Sequence, residues 1–258
     1  LAPQARIALA FDLSTAPGGL LGIGSDTPVA ANGSFFTHEA LPRIGYQNAV
    51  ELTDTRDRRR HGLARRAPQP AAPIERIAFS AIVSTTPDQV AVAPGTLERE
   101  WIAQERRYFH YRSEGAVPNE YAIASARYAV RNERWQDVAI DAYFDPAHAD
   151  NAQRLVRGAG AVLDYGTRQF GPYGQHDLRL VETPRGTGPS RGFPGMLALP
   201  ENGAFIARLD PGAGGSARGS IDYPFYMGAW TTAHQWWKRQ PGGALLADTL
   251  AEYTALMA

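Results

Sequence analysis

The spacing of apolar residues changes its period at about residue 132, and this change constrains the fold more than any other feature of the chain. Before that point, apolar and polar residues alternate in short runs, which is typical of half-buried strands. One such run carries Ile77, Phe79, Ala81 and Val83. Short strands of this kind, spaced by about 8–12 residues, predict an antiparallel β-rich domain over residues 1–132. We expect its first strand within residues 1–13.

Beyond residue 132, helical spacing appears among the strands. One segment places six apolar residues on a single helical face, namely Ala152, Leu155, Val156, Ala159, Val162 and Leu163. Two further helices are expected over residues 221–239 and 243–258. Because strands and helices are mixed in this part, we predict an α+β fold with a second domain over residues 133–258.

Composition excludes several classes of protein. The 258 residues carry a formal net charge of zero, which gives no reason to expect a nucleic-acid partner. The chain has no cysteine, so it forms neither disulfides nor thiolate metal sites. Its apolar runs fall short of the roughly 18–20 residues that a membrane-spanning helix needs. Both ends look cut, and we expect the chain to be a piece of a longer protein.

The segment WTTAHQWW, which starts at Trp230, has the spacing of the zinc-peptidase motif H-E-x-x-H. In that motif, two His at i and i+4 bind the metal from one helical face, and the Glu polarises the attacking water. Here His234 occupies the second His position, whereas Trp230 stands at the first. Thr231 occupies the Glu position, and a hydroxyl has no useful basicity near neutral pH.

These residues lie within a wider set of similar segments, including ANGSFF, LPRIGYQ, VAPGTLEREW, RYFHYRSE, LDYGTRQFGPY, LRLVETPR and AHQWW. In this order they resemble the M1 family of zinc aminopeptidases. The resemblance is to the M1-like domain of large bacterial membrane proteins that also carry ABC-2-type permease helices. It implies a β-rich, saddle-like N-terminal domain followed by the start of a thermolysin-like domain, truncated at the C-terminus. It also implies a position on the extracytoplasmic side of a bacterial inner membrane, attached to a permease segment of the same protein.

The segment LPENGAFIARL resembles the part of these enzymes in which a Glu binds the free α-amino group of a peptide. By position that residue is Glu201. A buried ammonium group needs a carboxylate partner, so the chemistry is reasonable. The alternative is a turn carboxylate that binds no ligand, and the sequence leaves both interpretations open.

The segment LLADTLAEYTALM resembles the helix that supplies the third zinc ligand of the family, a Glu. The resemblance places Asp248 at that position, one methylene shorter than Glu. Glu252 lies one helical turn later on the same face. Either carboxylate could approach His234, and the alternative is a solvated helix face.

The remaining histidines show no pair at ligand spacing, and isolated histidines rarely bind metal; they are His38, His61, His110, His148 and His176. Asp145, Asp150 and Asp177 show no paired arrangement either. The chain also lacks the G-x-S-x-G, P-loop and dinucleotide-binding motifs.

A catalytic zinc site keeps three protein ligands and an open water position, and at most two ligands remain here. We therefore predict a non-catalytic M1-like domain that binds peptide amino termini or has a structural role, with no zinc expected. The alternative is an active zinc aminopeptidase whose site is completed by missing segments or by another chain. We also expect exposed apolar side chains on the last two helices and a homodimer formed through them.

Overall fold

The computed structural model describes residues 8–12, 33–42, 51–65, 76–207, 222–237 and 243–258. The strands are β1 Gly33–Thr37, β2 Arg76–Thr85, β3 Val90–Val92, β4 Thr96–Ala103, β5 Arg106–Pro118, β6 Ala122–Ala126, β7 Ala129–Trp135, β8 Val138–Phe144, β9 Asp177–Thr183, β10 Arg191–Phe193 and β11 Met196–Pro200. The helices are α1 Thr55–Arg60, α2 Ala149–Phe170, α3 Tyr223–Trp237 and α4 Gly243–Met257. This mixture confirms the predicted α+β class.

The first part of the chain forms two small antiparallel sheets with the strand orders β1-β6-β3 and β2-β5-β4. The alternation in β2 is borne out, because Phe79 is buried and Ile77, Ala81 and Val83 pack partly buried against the same core. Strands β4 and β5 form a tight hairpin in which Gln104 and Glu105 have positive φ. Such a two-residue turn suits the right-handed twist of its strands.

The second part is built on a five-stranded sheet with the order β10-β11-β9-β8-β7. Its three central strands, β11, β9 and β8, run parallel to one another, and the edge strands are antiparallel to their neighbours. Helix α2 connects β8 to β9, as parallel pairing requires. The predicted boundary at residue 132 falls within β7, which pairs with β8.

Helix α2 covers this sheet with the face predicted from its spacing, and all six apolar residues of that face are buried. Helix α3 packs against α2 at very short range. A Cβ on Gly158 would lie 2.0 Å from the Phe225 carbonyl oxygen, and one on Gly228 would lie 2.1 Å from the Leu155 carbonyl oxygen. The close approach of α3 therefore depends on a glycine in each helix.

The two closing helices lie within the predicted ranges, as α3 and α4. The strand expected within residues 1–13 is not formed over residues 8–12, where Leu9 and Phe11 are exposed and the backbone has no regular structure. Alternation alone does not make a strand, because a strand needs a partner to satisfy its backbone groups. The other residues of that range lie outside the described part of the chain. Within the described part, no helix is both long and apolar enough to cross a membrane.

Candidate functional site

A cavity of about 280 Å³ lies where the three parallel strands of the large sheet end. Asp145 follows β8, Glu182 is near the end of β9, and Glu201 follows β11 directly. Carboxyl ends of parallel strands meet at one edge of a sheet, where open α/β sheets commonly bind ligands. The other wall comes from the small sheet β1-β6-β3, through Ser34 in β1, and from Tyr128, which lies just after β6.

His148 and Glu182 form a polar pair in the cavity. His148 Nδ1 lies 2.8 Å from Glu182 Oε1, and the side chains are 18% and 7% exposed. Glu182 Oε2 accepts a second hydrogen bond, at 2.7 Å, from the backbone N–H of Asp145. Burial raises the pKa of the Glu182 carboxyl, and the bonds from Asp145 and His148 oppose that shift because they favour the charged form.

The surrounding backbone holds this pair in place. The Tyr128 hydroxyl donates to the Glu182 carbonyl oxygen at 2.7 Å, and burial raises the pKa of that hydroxyl strongly. The Asp145 side chain accepts from Ala147 N at 3.0 Å and so starts the 3₁₀ turn Pro146–His148. The turn carries His148 back over the strand ends. The position of His148 therefore follows from a capped turn and a buried carboxylate.

Glu201 lines the same cavity and begins a π-helical turn, Glu201–Phe205. Its Oε1 accepts a hydrogen bond from Arg185 Nη2 at 3.1 Å, and the two side chains are 61% exposed for Arg185 and 30% for Glu201. Such an exposed pair contributes little to stability. Glu201 is therefore a turn residue that lines a cavity.

The motif helix α3 carries His234 in a different setting. His234 Nε2 lies 3.7 Å from Asp248 Oδ1, with side-chain exposures of 12% and 61%. The Trp230 ring stands edge-on to the imidazole, with a centroid distance of 4.5 Å. The structure therefore brings together His234 and the carboxylate that the resemblance selects, and it places an indole where the motif would have its first imidazole.

Thr231, at the position of the general base, is buried in the contact between α3 and its neighbours, with 1% exposure. Its hydroxyl donates to the Met227 carbonyl oxygen one turn earlier, at 2.6 Å. A hydroxyl bonded back to its own helix is a common arrangement for a buried Thr. The Thr231 side chain is therefore part of the packing of the helix.

Glu252 is exposed on α4, and its charge adds to the effect of burial in raising the pKa of Tyr226 near the start of α3. Among the described residues, no group of three or more His, Asp or Glu side chains is placed to hold a metal ion. His234 and Asp248 supply two donors where a catalytic zinc needs three, so the donor set in the described part of the chain does not fit that metal.

The predicted residues fall into two separate sets. Gln235 Nε2 donates to the Phe193 carbonyl oxygen at 3.1 Å and ties α3 to β10, where Phe193 pairs with Met196 at the start of β11. Glu201 lies beyond the other end of β11, and four residues of strand span about 13 Å. The residues of the zinc motif are not among those that line the cavity.

Sequence reasoning did not pair His148 with Glu182. The available signal was a single Glu in the strand DLRLVET, where every residue after the first is buried. A carboxylate in such a strand needs hydrogen-bond partners. His148, which follows the neighbouring strand β8, is a candidate for that role. Other histidines have local explanations: His110 Nδ1 lies 3.3 Å from Glu98 Oε2, and His176 Nδ1 lies 3.7 Å from Asp137 Oδ2 on the surface.

No protein-family model matches the chain, and no curated protein sequence matches it.

Proposed function

We propose that this chain is a non-catalytic M1-peptidase-like domain that binds the free amino terminus of a peptide through Glu201. The observation that carries the proposal is that Glu201 lines a cavity at the carboxyl ends of three parallel strands. A carboxylate there can accept hydrogen bonds from an ammonium group and balance its charge. The cavity volume is just under the range of about 300–1,000 Å³ usual for small-molecule pockets, which suits one terminal residue.

The non-catalytic part of the proposal is supported by the side chains at the motif. Trp230 offers no metal donor, and the Thr231 hydroxyl is bonded within its own helix. A zinc peptidase needs a base beside the metal-bound water, and neither residue can act as one.

The wider architecture belongs to the same proposal. The small antiparallel sheets would correspond to a saddle-like domain, and the mixed sheet with α2, α3 and α4 to the start of a thermolysin-like domain. The domain would serve as the extracytoplasmic part of a transporter-linked protein of a bacterial inner membrane. Protease accessibility of the full-length protein in spheroplasts tests this, and protection from added protease would reject the location.

Calorimetry with a short peptide tests the binding function. Trialanine with a free amino terminus should bind, and N-acetyl-trialanine should bind at least about tenfold more weakly, because it has lost the charge that Glu201 balances. Glu201→Gln should remove the difference, and Glu39→Gln, an exposed carboxylate elsewhere, should keep it. Equal affinity for both peptides in the unmodified protein would show that Glu201 is a turn residue only.

A second function, zinc-dependent aminopeptidase activity, is favoured by one observation, the 3.7 Å approach of His234 to Asp248. Two donors on adjacent helices could be completed by a ligand from another segment or chain. Metal analysis after zinc loading separates the two functions. One equivalent of zinc that is lost in His234→Ala would support the enzyme, and no bound zinc supports the binding domain.

We also propose that a second copy of the chain covers the outer face of α4. The apolar side chains expected there are present, and Leu245, Leu256 and Met257 are 82%, 63% and 52% exposed. An apolar face of this kind favours association. Light scattering should show a dimer that Leu245→Glu with Leu256→Glu converts to a monomer. A monomeric unmodified protein at high concentration would reject it.

A further inference from the structure

The His148–Glu182 pair has one polar atom left that can bind a ligand, and that atom is Nε2 of His148. Both oxygens of Glu182 already accept hydrogen bonds, from His148 Nδ1 at 2.8 Å and from Asp145 N at 2.7 Å. The Glu182 side chain is also 7% exposed. Both oxygens of Glu182 are therefore engaged within the protein, and Glu182 acts on a ligand by orienting the His148 imidazole.

A carboxylate on Nδ1 decides which tautomer a neutral imidazole adopts. In the neutral tautomer whose Nδ1–H donates to Glu182, the lone pair lies on Nε2. In the described part of the chain, no group bonds to His148 Nε2, and the other contact of the ring is with Phe205. Because His148 lines the cavity, Nε2 is an oriented hydrogen-bond acceptor for a ligand there.

The acceptor shares its cavity with Glu201, and the two reach it from different strands. His148 follows β8 and Glu201 follows β11, with β9 between them. A carboxylate and a neutral imidazole together supply acceptors only. A ligand group with several N–H donors and a positive charge satisfies both, whereas an amide with one N–H or a carboxylate does not.

We propose that His148 Nε2 is the second acceptor for the amino-terminal ammonium group, alongside Glu201, and that Glu182 is the positioning residue for His148. This inference rests on the proposed function. It narrows the ligand class to peptides whose amino terminus is unmethylated as well as unacetylated. Glu201 balances the charge, and His148 recognises an N–H donor.

Two ligands separate these roles, trialanine with a free ammonium and trialanine with a trimethylated amino terminus, which keeps the charge but has no N–H. Calorimetry should show that His148→Phe lowers affinity for the free ammonium by about tenfold or more and leaves the trimethylated peptide unchanged. Glu201→Gln should weaken both. His110→Phe, at a half-buried histidine of β5 that does not line the cavity, is the matched control and should change neither.

Equal losses for the two peptides in His148→Phe would overturn the inference, because they would show that the ring only fills space. This outcome differs from failure of the proposed function, in which the unmodified protein would not distinguish free from acetylated trialanine.

Glu182→Gln tests the positioning role through a signal that packing alone would not move. Long-range ¹⁵N–¹H spectra of the unmodified protein should show His148 protonated on Nδ1. Glu182→Gln should shift its population toward the Nε2–H tautomer and weaken binding of the free ammonium peptide severalfold. His148 protonated on Nε2 in the unmodified protein would overturn the inference.

Discussion

The cavity and the motif helix each contain a histidine facing a carboxylate, and the two pairs are held very differently. His148 and Glu182 are 2.8 Å apart, and the carboxylate is 7% exposed with both oxygens bonded. His234 and Asp248 are 3.7 Å apart, and the carboxylate is 61% exposed. The first pair is fixed by its surroundings, and the second depends on two helices that meet at the surface.

The two pairs differ in the secondary-structure elements to which their residues belong. Glu182 belongs to a central strand whose backbone is set by ladders to β8 and β11, and the turn that holds His148 starts where β8 ends. Asp248 projects from α4, and its side chain is 61% exposed. A polar pair on strand ends is therefore pre-oriented for a ligand, whereas a similar pair whose carboxylate is mostly exposed is only approximately placed.

The strongest test of the motif helix is to replace Thr231 by Glu, the residue that the zinc motif has at this position. Thr231→Glu should lower the free energy of unfolding by at least about 4 kcal/mol, since it buries an unpaired carboxylate at a position that is 1% exposed. Thr231→Val keeps the shape and should cost under about 1 kcal/mol. Urea unfolding of both variants checks this, and a well-tolerated Glu would show that position 231 can still face solvent or a metal.

Leaving polar groups of the cavity without a partner should also lower the free energy of unfolding, by a somewhat smaller amount. Glu182→Leu removes the acceptor of two partly buried N–H donors, on Asp145 and His148, and should cost roughly 2–5 kcal/mol. The matching change in the other pair, Asp248→Asn, removes a charge that is mostly solvated and should cost less than about 1 kcal/mol. Similar losses in the two variants would contradict the contrast drawn between the pairs.

The packing that holds the motif helix can be tested independently of any polar group. Gly228→Ala would place a Cβ 2.1 Å from the Leu155 carbonyl oxygen and should cost about 1–3 kcal/mol as α2 and α3 move apart. Gly160→Ala, in the neighbouring helix α2, meets nothing within 4 Å and should stabilise by up to about 1 kcal/mol. Thermal unfolding compares them, and equal shifts would show that the two helices do not pack this closely.

The buried Tyr128 hydroxyl in the cavity wall also predicts that the stability of the protein falls at alkaline pH. Burial raises the pKa of the Tyr128 hydroxyl, so its contribution to stability is intact below the unfolded pKa of about 10 and is lost as pH rises above it. Tyr128→Phe should reduce the decline by about 1 kcal/mol between pH 10 and pH 11. At pH 8 the variant should lose about 1 kcal/mol with the bond to Glu182 O. Parallel curves for the two proteins would contradict this.

Much of the fold follows from local patterns. The six-residue apolar face of α2 is buried as its spacing predicts, and the alternation in β2 identifies its core side. The segment around Leu9 and Phe11 shows the limit, because it alternates equally well and forms no strand over residues 8–12. Alternation reports which side of a strand could be buried, but the pairing depends on a neighbouring strand that the local pattern does not contain.

The candidate site divides in the same way. The spacing of Trp230, Thr231 and His234 depends only on the helical repeat, so the sequence alone places them on one helix and shows that two of the motif's residues are replaced. Tertiary structure alone decided that Glu182 meets His148, since these residues are 34 positions apart and come together only when β8 and β9 pair in parallel. Residues one helical turn apart are neighbours by local geometry, whereas residues on different strands become neighbours only through the order and direction in which the sheet assembles.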